Sequence, residues 1–73
     1  MSAYITTKQV ARYYNDKYFA YINKFRVGFE QCYQILILKR KSKEKQEFKL
    51  GIDCSIEFLE AFIKDKIGKI TKA

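Results

Sequence analysis

Residues 6–26 read Thr6-Thr7-Lys8-Gln9-Val10-Ala11-Arg12-Tyr13-Tyr14-Asn15-Asp16-Lys17-Tyr18-Phe19-Ala20-Tyr21-Ile22-Asn23-Lys24-Phe25-Arg26. The fold turns on how this stretch is read. Val10, Tyr14, Tyr18, Tyr21 and Phe25 recur in steps of four, four, three and four. That is the spacing of one helix face. Thr6 and Gln9 have the spacing of a capping box, and Ile5 and Val10 that of a hydrophobic staple. The expectation is a helix starting near Thr7. Two continuations stay open. One is a single helix to about Arg26. The other is two helices, about 7–14 and 17–26, joined at Asn15-Asp16, since Asn tolerates left-handed backbone and Asp caps helix starts. Gly28 ends the helical region in both.

After Gly28 the period changes to two. From Gln31 to Lys39, Tyr33, Ile35 and Ile37 point one way and Cys32, Gln34, Leu36 and Leu38 the other. Both sets are apolar at the centre, so this strand is expected to be covered on both faces. A second strand runs from Phe48 to Cys54, with Phe48, Leu50, Ile52 and Cys54 on one face. Ser55 then caps a closing helix. Its stripe is Ile56, Leu59, Ile63, Ile67 and Ile70, widened by Phe58 and Phe62, and Gly68 offers a C-cap or a kink. The expected fold class is α+β: an N-terminal helix or helix-turn-helix, an antiparallel β-hairpin serving as a wing, and a C-terminal helix. Residues 1–73 form one small domain.

Composition narrows the function. Apolar residues at 48% and aromatics at 16% are too many for a disordered chain. A core of this size is marginal, and partners often support it. There is no histidine, and the two cysteines, Cys32 and Cys54, cannot by themselves make a tetrahedral metal site. No metal or cofactor is implied, and both thiols are expected to be reduced and packed. Without histidine no Cys-His or Ser-His base can form. Glu44, Glu47, Asp53, Glu57 and Glu60 are scattered among lysines, so no enzyme is expected. Met1 to Lys8 lacks the apolar core of a secretion signal, and Ile35-Leu36-Ile37-Leu38 is far too short to span a bilayer. Neither helix has the broad basic face of a membrane-surface segment. The expected location is the cytoplasm, with no membrane partner.

Charge points to a polyanion. Between Lys39 and Lys49 lie six basic and two acidic residues, +4 of the chain's net charge of +7. On a hairpin this is a cationic finger suited to phosphates, or a solvated end that keeps an edge from aggregating. The candidate nucleic-acid-binding residues are Lys39, Arg40, Lys41, Lys43 and Lys45 on the hairpin, with Lys8, Arg12, Lys17 and Lys24 before it. Tyr13, Tyr14, Tyr18, Tyr21 and Tyr33 could stack on unpaired bases, or serve as bulky core filler.

The segment from Thr6 to Tyr14, with Gln9, Val10-Ala11 and Tyr13-Tyr14 in place, resembles the opening of excisionase-like and MerR-like winged helix-turn-helix domains. The order helix, turn, helix, β-hairpin wing, closing helix matches from about Ile5 to Ile67. The resemblance implies a small DNA-binding protein of a phage or mobile element, with duplex DNA as the partner. The alternative is a protein-interaction module, in which Gln31 to Leu38 joins another sheet edge on a host protein or in a homodimer.

Overall fold

Extended backbone begins at Ile5 and persists, with one turn, to Val27. The structure is a computed structural model and describes residues 5–73. The reading of Met1 to Lys8 as free of a secretion signal falls partly on Met1, Ser2, Ala3 and Tyr4, outside the described residues. Strand β1 is Ile5–Tyr14 and β2 is Tyr18–Val27. They pair antiparallel along their whole length. The expected N-terminal helix, in one piece or two, is therefore absent, and with it the helix-turn-helix layout. The side chains of Ile5 and Thr6, which the staple and cap would use, lie outside the described part. Residue type is the physical reason for the correction. Thr, Val, Ile, Tyr and Phe dominate both segments and suit a pleated sheet better than a helix. The helical spacing arose because β2 is apolar on both faces.

Asn15-Asp16 is a turn, as one continuation had it, but between strands. The Asn15 side-chain oxygen accepts from the amides of Lys17 and Tyr18, each at 2.8 Å. This local bonding to its own turn is what makes Asn a turn residue. Gly28 does not end a helix. With φ at +61° it takes the first central position of the two-residue loop Gly28-Phe29, where a type II′ hairpin needs glycine.

Strand β3 (Glu30–Lys39) lies where the sequence puts it, and β4 (Lys45–Gly51) follows. The second strand, expected from Phe48 to Cys54, thus both starts and ends three residues earlier. Ile52 and Asp53 lie in a turn closed by Cys54 N–H donating to Gly51 O at 3.2 Å. Helix α1 (Ile56–Ile67) starts at Ser55, whose Oγ accepts from Phe58 N–H at 3.1 Å. It stops at Gly68, whose φ is +84° and whose N–H donates to Lys64 O. A two-residue strand β5 (Thr71–Lys72) pairs with the end of β1. The sheet order is β4-β3-β2-β1-β5, all neighbours antiparallel.

The register sorts side chains onto two faces. Tyr13, Ala20, Ile22, Tyr33, Ile35 and Ile37 are buried with Leu59 and Ile63 of α1. Ala11, Tyr18, Phe48, Leu50, Phe62 and Ile67 pack around them. A bulge between Gln9 and Ala11 makes this possible. It inserts Val10 as an extra residue, so that Ala11 and Tyr13 reach the helix side in phase with Ile22 and Ala20. Phe62 meets Phe48 edge-on, ring centres 5.1 Å apart. Phe58, expected to widen the helix stripe, is instead 53% exposed. Among the described residues the other face of the sheet carries no second layer. The extents, 42 × 27 × 18 Å, fit one sheet and one helix. So β3 is buried on one side only, not on both.

Two side chains tie α1 to the sheet. Tyr13 Oη donates to Glu60 Oε2 at 2.6 Å. Asn15 Nδ2 donates to Ile67 O at 3.0 Å and Lys69 O at 3.1 Å, holding the helix exit against the first hairpin. Asn15→Asp keeps the turn acceptor but loses both donations and sets a carboxylate beside two carbonyls. It should cost about 1–3 kcal/mol in urea unfolding. Equal stability of the two proteins would show the tie to be idle. Burial, and the Glu60 carboxylate beside it, push the Tyr13 hydroxyl well above the usual tyrosine range. The unfolded chain releases that proton near pH 10 and the folded chain does not, so stability falls as pH rises beyond about 10. Tyr13→Phe lacks this contribution. The stability gap between the two proteins should be constant below about pH 9 and shrink above about 10. A gap that stays constant to pH 11 would contradict the assignment.

Candidate functional site

The two faces and two ends of the sheet divide the cations among them. The turn after β1, the loop after β3 and the exit of α1 all meet at one end. Arg40 N–H donates to Lys17 O at 2.8 Å, stitching the first two together, and Asn15 holds the third. Arg40 to Glu44 protrude from this end with every side chain exposed. Lys41 sits in the left-handed region at φ +59°, and Glu44 N–H donates to Ser42 Oγ at 3.1 Å. These contacts turn the loop without glycine. A cleft of about 630 Å³ opens where Lys17, Arg40 and Lys69 surround Asp16.

The uncovered face is built around β2, the central strand. Alternation puts Phe19, Tyr21 and Phe25 on it, with Asn23 between them. Across the sheet, Phe19 pairs with Tyr14 and Leu38, and Tyr21 with Arg12 and Leu36. Asn23 Nδ2 donates to Gln34 Oε1 at 3.3 Å, so an amide pair fills the break in the apolar row. Tyr14 is 39% exposed and Phe19 38%. Cations lie over the rings: the Arg40 guanidinium 4.5 Å from the Phe19 centre, and the Lys49 ammonium 5.2 Å from that of Phe25. Each is within the range where a ring quadrupole attracts a cation. Arg12, Tyr14, Phe19, Tyr21 and Ala73 border a small depression of about 130 Å³ beside this row.

The nine expected cations are therefore not one cluster. Lys17, Arg40, Lys41 and Lys43 gather at the loop end. Arg12 and Lys45 lie on the open face, by register with Tyr21 and Leu38. Lys45 is held by Glu47 at 3.3 Å, the one ion pair among the described residues. Lys39 shares the helix side with Tyr18 at the loop end. Lys8 and Lys24 are cross-strand partners on the helix side, toward the other end, away from the loop. Lys49 was counted in the charged run but not among the candidate contacts, and Lys69 was not among them either; the register and the chain's return place both. The sequence reading also missed Phe19 and Phe25 as surface residues. Of the tyrosines offered for stacking, Tyr13 and Tyr33 are buried, and Tyr18 packs against the core. Tyr14 and Tyr21 are on the open face. Phe29, at the tip of the β2–β3 hairpin, is 98% exposed.

Among the described residues no three histidine, cysteine or acidic side chains converge, and no helix is long and apolar enough to cross a membrane. Strand β3, offered as a docking edge, has both edges occupied, by β2 and β4. Comparison with protein families, curated proteins and solved structures finds no match to this chain.

The Arg40–Phe19 contact links the loop to the open face. A double-mutant cycle with Arg40→Gln and Phe19→Leu should give a coupling of about 0.5–1 kcal/mol in unfolding free energy. Additivity within error would mean that the guanidinium rests there without holding the loop.

Proposed function

We propose that this protein binds nucleic acid, through phosphate contacts made by the cations at the loop end and along the open face. The observation that carries the reading is the convergence of Lys17, Arg40, Lys41, Lys43 and Lys69 at one end of the sheet. Asp16 and Glu44 are the acids between them, and neither forms an ion pair. Exposed ammonium and guanidinium groups on separate elements make a field that attracts a polyanion, and counterions released from it drive binding. The lysine-rich hairpin keeps its expected part in this reading. The first helix has none, because its residues form β1 and β2. Phosphate contacts fix position and carry no sequence information. The same reading sets the protein in the cytoplasm, where Cys32 and Cys54 stay reduced.

Binding should weaken steeply with salt. With about four to six phosphates neutralised, log K against log salt should have a slope of about −3 to −5. Changing Lys41 and Lys43 to Gln should flatten that slope by about 2, one unit for each lost phosphate contact. Affinity independent of salt, or a slope untouched by the two substitutions, would remove the loop end from the function.

A further inference from the structure

We propose that the open sheet face takes unpaired nucleotides, bases stacking on Phe19, Tyr21, Phe25 and Tyr14 while the surrounding cations hold their phosphates. The inference rests on the nucleic-acid reading above and names the form of nucleic acid. Its ground is the arrangement on β2. Phe19 and Tyr21 are two residues apart on the same face, about 7 Å along the strand, and Phe25 is four further, about 13 Å. Tyr14 lies beside Phe19 on the neighbouring strand. The rings form a row, not a patch, and a row suits a chain-like ligand.

The chemistry around the row selects the occupant. Arg12, Arg40 and Lys49 accompany it; of the two strand acids on this face, Glu47 is engaged by Lys45 and Glu30 lies at the far end, beside the β2–β3 hairpin tip. A ligand that satisfies both rings and cations must offer flat apolar surfaces and negative charges in alternation. An unpaired strand does so, since each nucleotide carries a π-face and a phosphate. A duplex does not, because its base faces are stacked on one another inside the helix. The Asn23–Gln34 amide pair offers further donors and acceptors to base edges midway along the row. The Arg40 and Lys49 cations, now over Phe19 and Phe25, give up those ring faces to an incoming base and pair with its phosphate instead.

The test is fluorescence anisotropy at about 0.1 M salt, chosen so that the roughly 10 Å Debye length leaves close contacts intact. The probes are a labelled mixed-sequence 15-nucleotide single strand and the duplex made from it. The single strand should bind at least about tenfold more tightly. Tyr21→Ala and Phe25→Ala should each lose about 5- to 150-fold for the single strand, the range of one base–aromatic stack. Duplex binding should change little. Because these rings also pack on the sheet, Tyr21→Leu and Phe25→Leu are measured beside them. Leucine keeps apolar bulk but has no π-face, so these variants should keep the circular dichroism of the wild type and still lose single-strand affinity. The chain has no tryptophan, so quenching of tyrosine emission on binding gives a second readout.

Equal affinity for strand and duplex overturns the inference. So does single-strand binding untouched by the leucine variants. If in either case the Lys41 and Lys43 changes still weaken binding, the phosphate reading survives and only base stacking fails. Absence of binding to either probe overturns both. Sedimentation showing that the wild type self-associates, and that Tyr21→Leu separates the copies, would assign the face to a second chain and overturn the inference.

Discussion

A five-stranded sheet has two faces, and α1 covers only one of them. Leu59 and Ile63 fill the centre of the covered side, where Ile22, Ile35 and Ile37 are essentially inaccessible. The domain has no other wholly dry region among the described residues. The bulge at Val10 follows from this scarcity. Without it β1 would turn Tyr13 away from α1, and both the hydroxyl tie to Glu60 and a large part of the core would go. The bulge and the charged residues of β4 also help with the edges, since an outer strand that is kinked or lysine-bearing is a poor template for another chain.

The uncovered side obeys a different economy. A sheet face open to water need not be polar throughout, but large rings there must lie against something. Phe19, Tyr21 and Phe25 lie against their cross-strand neighbours and under cations. Tyrosine and arginine suit such a place because each has an apolar body and a polar end. Half-buried aromatics in a row are also a standing affinity for anything flat. Stability and the proposed binding therefore draw on the same residues, which is why leucine, and not alanine alone, is the informative replacement.

Much of the chain was legible as sequence, and the illegible part has a definite cause. Strand β3, the Ser55 cap and α1 were readable from local signals, although β3 is covered on one face rather than two and α1 stops at Gly68 instead of carrying its stripe on to Ile70. The first hairpin was not. A strand with one wet polar face alternates visibly, but β2 carries Tyr18, Ala20 and Ile22 on one side and Phe19, Tyr21 and Phe25 on the other. Alternation is then invisible, and any spacing can be picked from so many apolar positions. The steps of three and four joined Tyr18, on the covered face, to Tyr21 and Phe25, on the open one. Residue type was the better witness: β-branched and aromatic side chains hold twelve of the positions 5–27 and good helix formers eight. The cations at the loop end were readable as a charged run. Lys69 joins them only because Asn15 draws the helix exit back to the first turn.

That same cause bears on function. A sequence rich enough in rings to hide its own alternation is one that spends aromatic residues on a face the core does not use. Tyr33 and Tyr13 are buried with the core, whereas Phe19, Tyr21 and Phe25 stand on the open face. Rings retained on a wet surface expose apolar area that invites association unless something limits it. Here the limit is charge: with Arg12, Arg40 and Lys49 among the rings, like charges repel a second copy of the face unless anions screen them. What remains attractive is a partner that is itself anionic and flat. The feature that defeated the helical reading of residues 6–26 is thus the one from which the proposed binding face is built.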